Sequence, residues 1–342
     1  MAVPGGRRAG RIDGEMTRLT QLDNMRGIAM VLVVAGHLLA GNFVPAWYSG
    51  TVRDYLYSFH MALFFFISGF VAAYSYHPVH SLPEYLRYIW RKFKKFFPPF
   101  MFFGVVCLLL TLWSTGFTWA KFYDGLYRLI VMPRASHSGY LWFIYLLFVF
   151  YCILPIIMSS PGRWFYGWIV PASVLPVFPI PTPIFVLDHF SRFFFFFFLG
   201  CVGVRHVDLL RTPSSRAVCG AGALLFGLWS VAALGWGVWC EPYRISSGLL
   251  SIPACAFLAA GAKRLPTVNS VLARISADCF WIYLLHLFVI QLCAKIIDRF
   301  HPSGNLFFCI YAVSVTAAAI AIPIGLRRGC CFLRNLGARS CA

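Results

Sequence analysis

Arg26 and His37 stand in the stretch LDNMRGIAMVLVVAGH, at the start of the first apolar run of this 342-residue chain. Eleven helical steps of about 100° close three turns to within roughly 20°, so both side chains fall on one helix face about 16 Å apart. Ionisable groups are expensive inside a bilayer and tend to mark function there. A neutral imidazole takes a proton from a hydroxyl near neutral pH, which makes His37 a candidate general base. It also suits a transient nucleophile that carries a group between two substrates. A guanidinium fork matches phosphate oxygens, so Arg26 is a candidate anion contact. Asp23, three residues earlier, lies within reach of a local pair with it.

Further residues sort by depth. Arg91 and Lys92 open the third apolar run from the side of Arg26; they either set topology or extend an anion cradle. His60, in FHMALFFFISGF, falls at a depth similar to that of His37 on the next run; it either turns to headgroups or shares a polar pocket with His37. Trp142 and Tyr145 form part of an interfacial aromatic belt or a stacking surface for a sugar ring. Asp188, His189 and Arg192 precede or enter a run of Phe; they make either a helix cap with a snorkelling Arg or part of an acceptor site. His286 sits near mid-depth of a late run, with Ser276 as the expected N-cap of its helix. The result is a cationic layer on one side and a layer of imidazoles, aromatics and a carboxylate on the other. Acyl-CoA, with its anionic head far from its thioester, fits that spacing as donor. No Cys or Cys/His spacing reads as a metal site, so no metal is expected.

The elements that must position these residues are membrane spans. The chain is 60% hydrophobic and 12% charged, against about 25% charged in a soluble protein. Ten apolar segments are expected, at 25–43, 57–76, 97–114, 140–158, 164–180, 191–205, 217–238, 246–262, 277–296 and 305–326, each near the ~20 residues a bilayer core requires. Pro crowds the fifth and the sixth is short. With the N-terminus inside, twenty Lys and Arg fall on the inner side and eight on the outer, which places both termini in the cytoplasm. The expected organisation is a basic tail over 1–21, an all-α polytopic membrane domain over 22–326, and a second basic tail over 327–342. Residues 81–96 read as an interfacial amphipathic helix capped by Ser81.

A formal net charge of +18 could point to nucleic acid. The basic residues lie instead in short hinges between apolar runs, with no reading surface beside them, so nucleic acid is excluded and membrane lipids are the surroundings. No internal repeat is visible, which weighs against a transporter built from duplicated halves. The first eighteen residues hold no apolar signal-peptide core.

The pieces LDNMRGIAMVLVVAGH, FHMALFFFISGF, RYIWRKFKKFFPP, GYLWFIYLLFVFY and CFWIYLLHLFV, in this order, resemble the acyltransferase-3 family of integral membrane O-acyltransferases. The FHM-LFFFISG wording is similar to the fucose 4-O-acetylase and intercellular-adhesin-C-like branch, with Ala62 where that branch often has Pro. The resemblance implies transfer of an acyl group, usually acetyl, from cytoplasmic acyl-CoA to a hydroxyl of a cell-envelope or exported glycan, free or lipid-linked. It implies a multi-pass protein of the inner (plasma) membrane, with the family's Arg and His at Arg26 and His37. The expected donor side is Arg26, Arg91 and Lys92; the expected acceptor side is His60, Trp142, Tyr145, Asp188 and Arg192. The rival reading is an exporter of a glycan or acyl group, in which the same layers line a path. Acceptor identity, acyl chain and oligomeric state stay open.

Overall fold

The computed structural model describes residues 20–206, 213–236 and 241–339. The N-terminal basic tail, apart from its last two residues, lies outside them. Every regular element among the described residues is helical, as it must be where no water can satisfy an open backbone. The helices are α1 (Thr20–Gly36), α2 (Arg53–Tyr74, entered through a π-turn at Tyr48–Val52), α3 (Leu82–Thr115), α4 (Trp119–Val131), α5 (Trp142–Ser159), α6 (Gly162–Gly167), α7 (Ile169–Val177), α8 (Leu187–Arg205), α9 (Pro213–Trp236), α10 (Glu241–Ala262), α11 (Pro266–Asp298) and α12 (Asn305–Arg339). Eight helical stretches, those of α2, α3, α5 and α8 to α12, are long and apolar enough to cross a membrane. The chain is an all-α polytopic membrane protein.

Several expected boundaries move, each for a local reason. α1 stops at Gly36 instead of running to 43. The Tyr48 hydroxyl donates to the Ala35 carbonyl at 2.6 Å and the His37 amide bonds back to Val34 at 3.1 Å, satisfying carbonyls that a helix end leaves open. Gly41 then turns the chain at φ 106°, a conformation that suits glycine. His37 therefore stands in the turn at the end of α1, not inside a longer helix.

The fifth expected span is two short helices, α6 and α7, because its prolines remove backbone donors. They still run antiparallel along α8. The Tyr166 hydroxyl meets His206 at 3.1 Å near one end, and the Ile180 amide donates to Ser191 at 3.1 Å near the other.

α3 begins at Ser81, whose hydroxyl accepts from the Glu84 amide while the Glu84 carboxylate accepts from the His80 amide. This reciprocal cap starts a helix that continues through Pro98 and Pro99. The expected interfacial helix is thus the first half of α3. α11 starts at Pro266, so Ser276 is internal rather than an N-cap, and its hydroxyl donates to Asp23 at 3.0 Å. α12 continues through 327 to Arg339, so the expected C-terminal tail begins as helix. Arg327 pairs with the buried Asp278 and donates to the Ala277 carbonyl at 3.1 Å. Asp23 of α1 and Arg327 of α12 thus grip the same short stretch of α11, which puts both ends of the described domain on one face.

α2 and α8 approach most closely. A Cβ on Gly69 would stand 2.0 Å from the Phe197 carbonyl oxygen, and one on Gly200 would stand 2.1 Å from that of Phe66. Small residues at such crossings let backbones touch, which drives helix association in lipid. α4 carries exposed Trp119, Tyr123 and Tyr127 at helical spacing, a composition suited to a membrane interface.

Candidate active site

Three imidazoles from three helices meet in the half of the bundle away from Asp23. His37 comes from the end of α1, His60 from α2 and His286 from α11. The His37 and His286 ring centroids are 5.2 Å apart. The Tyr57 hydroxyl lies 3.1 Å from His37 Nδ1, and its ring packs on His60 at 4.9 Å. A Cβ on Gly36 would press Tyr57 at 3.2 Å, so the glycine admits that ring beside His37. Tyr57 is 41% exposed, whereas His60 and His286 are 1% and 0% exposed. The cluster thus opens at Tyr57 and closes behind at His286.

Backbone carbonyls fix two of the three tautomers. His60 Nδ1 lies 2.5 Å from the Leu56 carbonyl, and His286 Nδ1 lies 2.8 and 3.1 Å from those of Tyr283 and Ile282. A carbonyl only accepts, so both Nδ1 atoms carry the proton and both Nε2 atoms carry the lone pair. His286 is framed by Tyr140 and Tyr283, each ring 6.0 Å away. The Tyr283 hydroxyl donates to the Tyr140 carbonyl and the Tyr140 hydroxyl to the Leu284 carbonyl, which ties the start of α5 to α11.

Arg26 opens a cavity between α1, α2, α3, α5 and α11. It holds about 600 Å³ of empty space out to its mouth and is lined by Arg26, Lys95, Tyr151, Cys279, Phe143 and Tyr283, among others. Its charged lining residues are two cations with no carboxylate among them, a combination that favours an anionic guest. Tyr283 belongs to both places, lining the cavity and packing on His286. Tyr283 thus adjoins both the cavity at Arg26 and, through His286, the cluster that holds His37.

The remaining expected residues are placed as follows. Arg91 is exposed, and Lys92 lies over the Tyr151 ring at 4.1 Å, just outside the cavity lining. Lys95, one turn further along α3, lines it instead. Trp142 packs on His189 at 4.4 Å and stacks on Phe193 at 5.6 Å. Tyr145 turns away from Trp142, toward Phe100 of α3 at 5.8 Å. Asp188 accepts from Arg134 at 2.7 Å and from His189 at 2.8 Å. Arg192, on the same helix, lies close enough to His189 to act on it electrostatically. Asp188, His189 and Arg192 thus form a second polar cluster, joined to the first through Trp142, Phe143 and Tyr283. Among the described residues no group of three His, Cys, Asp or Glu side chains is arranged to hold a metal ion.

The sequence reading did not single out Lys95, Tyr57, Tyr140, Tyr283 or Arg134. Tyr57 was the most accessible to it, three residues before His60 and so on a neighbouring face of the same helix. Arg134 lies in a single 3-10 turn, Pro133–Ala135, too short to carry a periodic signal.

Comparison with known proteins gives two matches. A family model described as Acyl_transf_3, Acyltransferase domain, matches residues 19–323. Nodulation protein NolL of Sinorhizobium fredii is 25% identical over 246 residues, 69% of this chain and 62% of that protein. The chain therefore spans less than two thirds of that relative's length. No solved structure matches.

Proposed function

The chain belongs to the acyltransferase-3 family and is a membrane acyltransferase; from that premise we propose that it moves an acyl group, acetyl in the first instance, from cytoplasmic acyl-CoA to a hydroxyl of a cell-envelope or exported glycan at the plasma (inner) membrane. One observation carries the reading. Tyr283 lines the cavity that Arg26 and Lys95 also line, and its ring packs on His286, the neighbour of His37.

The donor's phosphates rest on Arg26 and Lys95, with Arg91 and Lys92 on the rim. Its thin arm passes between Phe64, Phe143 and Ile144 and brings the thioester to His37. The acceptor enters from the Tyr57 side, above the buried His60, with Trp142, Asp188 and Arg192 beyond; Tyr145, turned to Phe100, stands apart from that approach. His37 takes the hydroxyl proton as the acceptor oxygen bonds to the acyl carbon. The carbon–sulfur bond breaks, and the departing thiolate takes the proton from His37. Enclosure of the centre keeps water from competing as acceptor. The same imidazole is placed to carry the acyl group in transit.

The test is glycan O-acetylation, measured by mass spectrometry in cells producing His37→Ala at normal protein level. General-base loss lowers transfer by roughly 10²- to 10⁴-fold. Undiminished O-acetylation in that strain contradicts the mechanism.

A further inference from the structure

His286 Nε2 is a buried acceptor with no hydrogen-bond partner among the described residues. Native proteins rarely leave such an atom without a task. Its ring is pinned by the two bonds from Nδ1 to its own helix, which hold the lone pair on Nε2 and turn that edge away from α11. On His37, Nδ1 is the atom turned to Tyr57, which leaves its own Nε2 on the opposite edge. The two rings are 5.2 Å apart between centroids and tilted by 48°. An imidazole nitrogen lies about 1.1 Å from its ring centre, so aligning the two Nε2 atoms leaves about 3 Å between them, a hydrogen-bond distance. A turn of the His37 side chain achieves this, since His37 stands in a turn while His286 is fixed.

We propose that His286 is a positioning residue for His37: its Nε2 accepts a hydrogen bond from His37 Nε2–H and makes His37 Nδ1 the atom that reacts. The assignment rests on the proposed transfer reaction, with His37 as base. Carbonyl bonds hold His286 in one tautomer, and His286 in turn selects the tautomer of His37. The lone pair of His37 then faces the exposed Tyr57 side, where the acceptor hydroxyl arrives. The hydroxyl proton passes to His37 Nδ1, the acceptor oxygen bonds to the acyl carbon, and the carbon–sulfur bond breaks. While His37 is charged, its Nε2–H donates more strongly to His286. The Nδ1 proton then leaves with the thiolate.

The experiment uses the full chain purified in lipid nanodiscs, labelled acetyl-CoA as donor and the glycan fraction of the protein's own cells as acceptor. Two variants separate positioning from simple packing. His286→Gln keeps an acceptor near the Nε2 position. His286→Asn keeps a donor near Nδ1 for the backbone carbonyls but has nothing at Nε2. The expected result is that the Gln variant exceeds the Asn variant in transfer rate by tenfold or more, with acetyl-CoA affinity equal in both. Transfer by Asn equal to or above that by Gln overturns the assignment. If wild-type protein moves no label from acetyl-CoA, the reaction itself is wrong and the assignment falls with it. Should the Asn variant fail to fold, His286→Leu takes its place and is read by the same criterion.

Discussion

A charged side chain at the mouth of a membrane cavity can set topology or bind a ligand, and the proposed function gives Arg26 the second use. It stands in the first half of α1 and lines the cavity with Lys95. Replacing Arg26 with Ala removes a charge-assisted contact to the donor, each such bond contributing about 1.5–3 kcal/mol. The expected outcome is a rise of tenfold or more in KM for acetyl-CoA in a membrane assay, with kcat changed less. Arg26→Lys keeps the charge but loses the fork, and falls between. An unchanged KM in both variants would show that the donor head binds elsewhere. At this scale the sequence was informative about pairs close in the chain and silent about distant ones. The eleven-residue step from Arg26 to His37 predicted one shared helix face, but α1 ends at Gly36 and leaves His37 in the turn that follows. The meeting of His37 with His286 was not legible, because it depends on how α1 and α11 pack. Lys95 was visible as part of a basic hinge, but the face it shares with Arg26 is set by that same packing.

At the scale of elements, eight of the ten expected spans are long apolar helices among the described residues, the first and fifth are shorter, and the ends were placed poorly. Hydrophobicity does not say where a helix stops inside an apolar stretch. α1 ends at Gly36 because Tyr48 satisfies its last turn and Gly41 turns the chain, two features that sit beyond the helix itself. α3 and α11 start earlier than their apolar segments because about three to four turns of more polar helix precede each. The fifth span breaks at Trp168, where Pro171 offers no amide to the Gly167 carbonyl, and ends at Val177 ahead of Pro179. The contact between α2 and α8 is the least forgiving in the fold, with Gly69 and Gly200 facing the backbone of the opposite helix. Gly69→Val forces those helices apart; overpacking of this kind costs about 1–3 kcal/mol. Thermal unfolding in detergent should begin at lower temperature for Gly69→Val, while Gly50→Val, at an open position, should behave as wild type. Equal melting of Gly69→Val and wild type would show that the close approach is dispensable.

On the scale of the whole molecule, the fold sets a direction. Asp23 and Arg327 both bind α11 at one end, with the cationic cavity mouth at Arg26 beside them. At the opposite end Asn42 binds Asp298 and Trp47 binds Asn305. The Lys and Arg count assigns the first end to the cytoplasm. Family and membrane class were therefore legible from motif order and composition, while the placing of Tyr283 between the cavity and the imidazole cluster depends on three-dimensional packing. That link is the core of the account, and sided delivery of the donor tests it most directly. The protein is reconstituted in liposomes, its orientation is determined, and labelled acetyl-CoA is supplied to one face at a time with acceptor glycan on the other. Label should reach the glycan as an ester only when acetyl-CoA meets the Arg26 face, and His37→Ala should abolish the transfer. Glycan crossing the membrane without label, or labelling that ignores the side of donor addition, would contradict it.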